Sequence, residues 1–440
     1  MGGERLSLPL LLAAGIACAF GGGTADDPAS ATCNDPEYLP LSQHAHTSNM
    51  DFIDAAERGS LRAFRPQVRH SVMDAAGRLH AVDFQSERFF TYDSDNGWNN
   101  QMINLLCAID MAKLLNRTLV LPPFQWPRRR GAGVKVSVAR LVDLASIASL
   151  GVRVLAEDEF GSVAAAIDAA AAAPASSAVP PVAVVPGEGQ PHRKQRMPRW
   201  SRARWSTERA GEPARLLRVT CCLFWLWQLP EPVSRELYRV VQYHPALVAA
   251  ARAAAAPLGQ AFGAMHIRRG DKAKVDRAYT AVWAKMDAAY FVRLAEAERM
   301  PRGAVVYVAT DELDHGWFEA LTAAGYALRF VDDLSQGPLL SALSAFPQAL
   351  WVDVLAILEQ LICIDAQLGF VPSLPSTLSG HIVNVRAARA TFDAVEHRPL
   401  FVKLHESCCD ARTALDLLRL DGVSTLHDVP CEPHAGNPWC

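Results

Sequence analysis

The sequence predicts two α/β domains, each built on a parallel sheet, with a cleft between them. Three observations carry this. A strand–loop–helix–strand order runs through residues 88–121, a second such series starts at Ala246, and a low-complexity segment lies between the two. The length of 440 residues agrees, since about 150 residues per domain gives two or three domains.

Residues Arg88–Tyr92 read as a short strand, followed by the loop Asp93-Ser-Asp-Asn-Gly-Trp-Asn-Asn100. Gln101–Asn116 reads as a helix, because Ile103, Leu106, Ile109, Ala112, Leu114 and Leu115 line one face. Thr118-Leu-Val-Leu121 is a buried strand stopped by Pro122-Pro123, and Val152–Leu155 is a further strand. Residues 163–191 are rich in Ala and Pro and run directly into a basic window. Together they predict a poorly ordered insertion, 163–213. In the second series the strands are Gly263–Ile267, Ala304–Ala309, Leu328–Val331 and Leu368–Val371. The helices are Tyr290–Arg299, Phe318–Ala324 and Gln348–Ile364, and the loop Pro372–Ser379 opens a final helix. The resulting division is a signal peptide (1–25), a polar leader (26–80), an N-terminal domain (81–245), a C-terminal domain (246–392) and a Cys-rich appendage (393–440).

Composition bounds the setting. Half the residues are hydrophobic, a fifth are charged, and 43 Lys and Arg face 46 Asp and Glu, so the chain is not a polycation built to coat nucleic acid. Residues 193–209 are an exception: seven cations face the single acid Glu208, a local charge of +6. That window reads as a solvated arm, while its Trp200 and Trp205 leave open a role in binding an acceptor or a polyanion. Leu6–Phe20 is a fifteen-residue apolar stretch with small residues near Ala25, which reads as a secretory signal peptide; a membrane span needs about 20 apolar residues. Four of the ten cysteines (Cys408, Cys409, Cys431 and Cys440) crowd the end of the chain without zinc-site spacing and predict disulfides in an oxidising lumen. Cys107 and Cys363, in apolar runs, are the expected buried thiols. Asn116-Arg117-Thr118 is a glycosylation sequon whose Thr begins a buried strand.

In open α/β sheets ligands collect at the carboxyl ends of strands, and three polar clusters fall at such positions: 95–101, 266–271 and 373–379. His266-Ile-Arg-Arg-Gly-Asp271 sets two guanidiniums where a strand exits. Arginine forks match phosphate oxygens, and His266 alternates with Arg268 on one strand face. A structural Arg–Asp network is the competing reading; an adhesion tripeptide is disfavoured because Arg269-Gly270-Asp271 lies inside the domain pattern. Ser373-Leu-Pro-Ser-Thr-Leu-Ser379 lines hydroxyls and backbone N–H groups at a helix entry, which suits phosphate or simply caps the helix. Asp93-Ser-Asp95 is a DxD, which in one class of glycosyltransferases holds a metal on a sugar nucleotide.

Taken together these segments resemble the GDP-fucose protein O-fucosyltransferase family. The resemblance rests on Gly97-Trp-Asn-Asn-Gln101, Ala112–Pro123, His266–Asp271, Val306–Glu312, Glu359–Cys363, Ser376–Ile382 and Arg386, in that order over roughly 85–390. It implies a GT-B fold of two Rossmann-like domains facing a cleft, an inverting transfer from GDP-fucose to a protein or glycan hydroxyl, and no required metal or other cofactor. By position, Arg268 would steady the β-phosphate, Arg269 and Asp271 would support the donor site, and His266 would contact the nucleotide. Asn100 would hold donor or acceptor, Ser376, Thr377 and Ser379 would bind the phosphates, and Glu359 would read the guanine edge, with Asp353 as the fallback. The sequence departs from the family at Pro372-Ser373, often a Gly-led pair, and at Leu378, usually aromatic. Asn96 stands where some relatives carry a catalytic Glu, so the base would be Asp95, or no protein group if C–O cleavage runs ahead of attack. The expected setting is the endoplasmic reticulum or Golgi lumen, with no nucleic-acid partner and no stable membrane span. The alternatives are a transferase using another GDP-sugar and a catalytically silent binding relative.

Overall fold

A computed structural model describes residues 71–74, 76–82, 86–93, 97–125, 134–156, 182–186, 202–209, 211–220, 229–269, 286–373 and 376–389. The predicted signal peptide and the Cys-rich appendage lie outside them. The strands are β1 (Ser71–Met73), β2 (Leu79–Ala81), β3 (Phe89–Tyr92), β4 (Thr118–Leu121), β5 (Phe124–Gln125), β6 (Lys135–Val136), β7 (Val154–Ala156), β8 (Val182–Pro186), β9 (Leu216–Thr220), β10 (Gly263–Ile267), β11 (Val305–Thr310), β12 (Ala327–Arg329) and β13 (Phe370–Val371). The α-helices are α1 (Trp98–Leu114), α2 (Leu144–Ala148), α3 (Arg202–Arg209), α4 (Glu231–Val240), α5 (Pro245–Ala254), α6 (Ala288–Ala297), α7 (Glu319–Ala323), α8 (Gln336–Ser344), α9 (Trp351–Ile364) and α10 (Thr377–Arg389). None of these helices is by itself long and apolar enough to cross a membrane.

Two sheets form. The first has strand order β2-β1-β7-β4-β3-β9-β8, and the second has order β12-β11-β10-β13 and is parallel throughout. The runs of β3, β4 and β10 are buried at every position, as strands covered on both faces must be. Chain direction across each sheet reverses beside one strand. From β3 the chain moves outward through β4 and β7, then crosses to the other side as the edge strand β8 and fills in beside β3 as β9; from β10 it moves through β11 and β12, then returns as β13. Such switch points leave a crevice at the carboxyl ends of the strands. They lie at the loop after β3 and between the exits of β10 and β13.

Some sequence expectations need correcting. Helix α1 begins at Trp98, not Gln101, because Gly97 already accepts from the backbone N–H groups of Asn100 and Gln101. The polar leader ends in a hairpin: the Asp74 carboxylate accepts the backbone N–H groups of Ala76 and Arg78 and meets the His80 ring at 2.7 Å, closing the β1–β2 turn. The insertion contains an edge strand, since Val182-Ala-Val-Val-Pro186 pairs in parallel with β9, itself unforeseen. Alanine-rich flanks hid that β-branched run. The basic window is not wholly a solvated arm, because α3 docks. Trp205 is 3% exposed and Arg202 lies 3.5 Å from the buried carboxylate of Asp110 on α1. Trp200 lies outside the described residues.

Several buried polar groups fix the frame. Arg117 donates to the carbonyls of Phe89, Glu212, Ala214 and Arg215, tying the starts of β3 and β9 together. Asn116 before it adopts φ 48°, the left-handed conformation that ends α1, and Thr118 of the sequon is fully buried. Arg386 of α10 donates to the carbonyls of Cys363, Ile364 and Ala366, satisfying the end of α9. Cys107 and Cys363 are buried free thiols.

The two halves are joined by a buried hydrogen-bonded chain. The Trp98 indole N–H donates to the Tyr243 hydroxyl at 3.0 Å, which donates to Gln360 Oε1 at 2.7 Å. The Gln360 amide in turn donates to Asn99 Oδ1 at 2.8 Å. Tyr243 also meets the His381 ring of α10 edge-on, with centroids 5.8 Å apart. Thus α1 of the first half is pinned to α9 and α10 of the second.

Replacing Tyr243 by Phe leaves the Trp98 N–H and Gln360 Oε1 without partners, and a buried orphan costs about 1–3 kcal/mol. We expect a loss of roughly 2–6 kcal/mol for the two, read from urea unfolding. A loss below about 0.5 kcal/mol, the scale of an ordinary surface change, would show that the chain does not bind the halves.

Burial holds the His266 and His381 imidazoles down to about 3, below the 6.5 of a free ring. Their contribution is therefore complete above about pH 6.5 and is lost as the pH falls and the unfolded rings gain protons. Glu359, raised to about 7, acts in the opposite sense, losing its contribution as the pH rises from 4.5. A variant comparison isolates the histidine effect: between pH 7 and pH 5, His381→Gln should lose less stability than the wild type. Equal losses would contradict a buried neutral His381.

Candidate active site

The exits of β10 and β13 carry the densest polar chemistry. His266, the fourth residue of β10, is 7% exposed on the strand face shared with Ala264. Its Nδ1 lies 2.7 Å from the Ser379 hydroxyl, and the backbone N–H of Ser373 donates to that same oxygen at 2.9 Å. Ser379 is fully buried in the first turn of α10, so one hydroxyl joins a strand, a loop and a helix. Burial, and then the Arg268 cation nearby, hold His266 neutral.

At the same end, Ser373 and Ser376 are 0% and 3% exposed, and the Oγ atom of each has no hydrogen-bond partner. Buried hydroxyls are normally satisfied, so two orphans at the entry of a 13-residue helix mark a place where acceptor oxygens fit. Thr377, half-buried, is the first residue of that helix.

The two arginines differ. Arg268 is half-buried at the strand exit and its charge acts on His266. Arg269 is committed elsewhere: its guanidinium meets Glu312 at 2.7 Å and lies 4.3 Å from the Trp317 ring centre, while its backbone N–H donates to Asp311 at 2.6 Å. The structural Arg–acid network thus holds for Arg269, with Glu312 as its carboxylate.

Glu359 of α9 is half-buried and accepts from the Tyr307 hydroxyl at 2.7 Å. Desolvation raises its carboxyl to about 7, with Asp311 adding to the rise and Tyr307 opposing it. Asp353 lies in the first turn of the same helix, half-buried. Tyr307 escaped the sequence reading, although a phenol in the apolar run Val-Val-Tyr-Val-Ala needs a buried partner for its hydroxyl. Gln360, fully buried within an apolar helix, gave a similar signal.

On the first sheet, Asn100 sits in the opening turn of α1, and its Oδ1 is buried without a hydrogen-bond partner. Asp93 is taken: Arg218 of β9 donates to its Oδ1 from Nε and Nη2 at 3.0 and 2.8 Å. That pairing removes charge from the DxD reading of Asp93-Ser-Asp95. Asp95, Asn96 and Asp271 lie outside the described residues. Among those residues no group of three or more His, Cys, Asp or Glu side chains gathers to hold a metal.

His266, Arg268, Ser373, Ser376, Thr377 and Ser379 therefore gather where β10 and β13 end. Helix α1, which carries Asn100, meets α10 through the Trp98–Tyr243–His381 ring contacts, and Glu359 accepts from Tyr307 of β11.

Comparison with curated protein sequences finds no match. Among solved structures, POFUT1 in complex with GDP is 16% identical with a TM-score of 0.45, covering 70% of this chain and 96% of its own. Fucosyltransferase NodZ from Bradyrhizobium is 15% identical with a TM-score of 0.39, covering 68% of this chain and 93% of its own. The family model described as GDP-fucose protein O-fucosyltransferase matches residues 89–389, from the first residue of β3 to the last of α10. With its two α/β sheets and a match across most of its length, the chain belongs to the GDP-fucose protein O-fucosyltransferase family.

Proposed function

We propose that the chain transfers fucose from GDP-fucose, with inversion at the anomeric carbon, to a hydroxyl of a protein Ser/Thr or of a glycan. One observation carries the reading: a cation, Arg268, and two buried hydroxyls without partners converge where a helix begins, at the switch point of the second sheet. That is an environment for a diphosphate.

In this reading the acceptor oxygen attacks C1 of fucose while the bond from C1 to the β-phosphate oxygen breaks. GDP leaves with the electron pair, and its charge grows as the bond lengthens. Arg268, the N–H of His266 and the N-terminus of α10 meet that charge, each already in place before the reaction. Asn100, with a free carbonyl oxygen, orients fucose or the acceptor hydroxyl. The acceptor's proton goes to Asp95 or, with an advanced C–O cleavage, to solvent or the departing phosphate. Glu359 accepts from the guanine N–H groups. We assign the leaving-group charge to these groups rather than to a metal, because Arg218 already engages Asp93. The leader and the clustered cysteines of the tail support a luminal setting in the secretory pathway.

Arg268→Ala should lower kcat about 10²–10³-fold, the scale for losing one preformed charge-stabilising donor. Arg268→Lys should recover little, since an ammonium lacks the planar fork. Turnover of GDP-fucose, followed as GDP release with and without EDTA, tests both. An unchanged rate in Arg268→Ala would remove Arg268 from the mechanism, and loss of activity in EDTA would restore a metal role.

A carboxylate that receives two guanine N–H groups must be ionised, and Glu359 is only half ionised near pH 7. GDP affinity should therefore rise between pH 6 and pH 8, and Glu359→Gln should flatten that rise while weakening binding. Calorimetry that gives one affinity across this range would dismiss Glu359 as the base reader.

A further inference from the structure

We propose that Ser379 is a positioning residue that locks His266 in the tautomer with its proton on Nε2. The inference rests on proton accounting at one oxygen. The backbone N–H of Ser373 can only donate, so at 2.9 Å the Ser379 hydroxyl oxygen is its acceptor. The hydroxyl's own hydrogen is then left for His266 Nδ1, 2.7 Å away. Nδ1 is the acceptor in the arrangement that uses each of these hydrogens, and the remaining ring proton sits on Nε2. Both side chains are buried, so water does not offer the ring a competing partner at Nδ1.

The consequence reaches the reaction. A neutral imidazole offers one N–H, and its direction depends on which nitrogen carries the proton. With Nδ1 occupied from the α10 side, the N–H lies on the ring nitrogen away from Ser379. The same hydroxyl pins the loop after β13 through Ser373, so the ring orientation and the loop carrying the Ser376 hydroxyl are set together. Ser379 thereby acts through His266 rather than on the phosphate, unlike Ser373 and Ser376, whose Oγ atoms are free. The catalytic part of this inference rests on the proposed reading of His266 as a donor contact; the tautomer does not.

The test uses the full chain labelled with ¹⁵N-histidine, without donor. Multiple-bond ¹H–¹⁵N spectra distinguish a bare ring nitrogen from a protonated one, and the His266→Gln spectrum identifies the His266 signals. The wild type should show a bare Nδ1 and a protonated Nε2. Ser379→Ala should give a mixture of tautomers, and Ser379→Thr, which keeps the hydroxyl, should restore the wild-type pattern. In turnover, Ser379→Ala should lower kcat about 10–100-fold, the scale for losing a partner that orients a functional histidine, with a smaller change in the donor KM. A protonated Nδ1 in the wild type overturns the proposal, and needs no Ser379 variant to fold. An unchanged tautomer in Ser379→Ala overturns it as well. If the tautomers behave as expected while His266→Gln keeps full turnover, the positioning stands and the reading of His266 as a donor contact falls.

Discussion

The Tyr243 hydroxyl, buried between Trp98 and Gln360, sets the geometry on which the rest of the molecule depends. Tyr243 as a whole is 5% exposed, and the Gln360 amide that its hydroxyl meets is fully buried and continues to Asn99. Each of these groups gives up water and regains a partner only if α1, α9 and the segment before α5 meet in one arrangement. Apolar packing alone tolerates small slides between helices. A chain of directional bonds does not, because each displaced donor becomes an unsatisfied buried group. The halves contributing to this chain are up to 261 residues apart in sequence, so it fixes the relation of the two sheets rather than a local turn.

That relation decides what the loops can do. Asn100 follows directly on the residue held by Gln360, and His381 lies one turn beyond Thr377 and touches the Tyr243 ring. The opening of α1 and the opening of α10 are therefore registered against each other. In the proposed transfer, an acceptor brought by the first half and a diphosphate held by the second would meet in a geometry set before either arrives, which reduces the ordering cost of the encounter.

Charge is distributed with equal economy. Of the adjacent arginines, Arg269 is spent on Glu312, Asp311 and Trp317 and braces the β10–β11 exit, while the charge of Arg268 acts on His266. On the first sheet Arg218 takes up Asp93. The chain's net charge of −3 conveys none of this, because the field at the site is made by a few groups in a poorly solvated region.

The sequence by itself determined the repeating strand–helix order, the limits of β4 and β10, the family, and the three polar clusters at strand exits. Those are local matters: apolar runs, proline stops and strand ends are legible wherever period and composition agree. It misread α3 and β8, because cations masked a tryptophan whose burial depends on distant neighbours, and alanines masked a valine run that pairs with the remote strand β9. Tertiary structure alone decided that Ser379 meets His266, that Arg269 pairs with Glu312 and Trp317, and that Gln360 joins the halves. Proton direction and charge pairing depend on distances between residues remote in sequence, and the order of residues along a chain does not encode those distances locally.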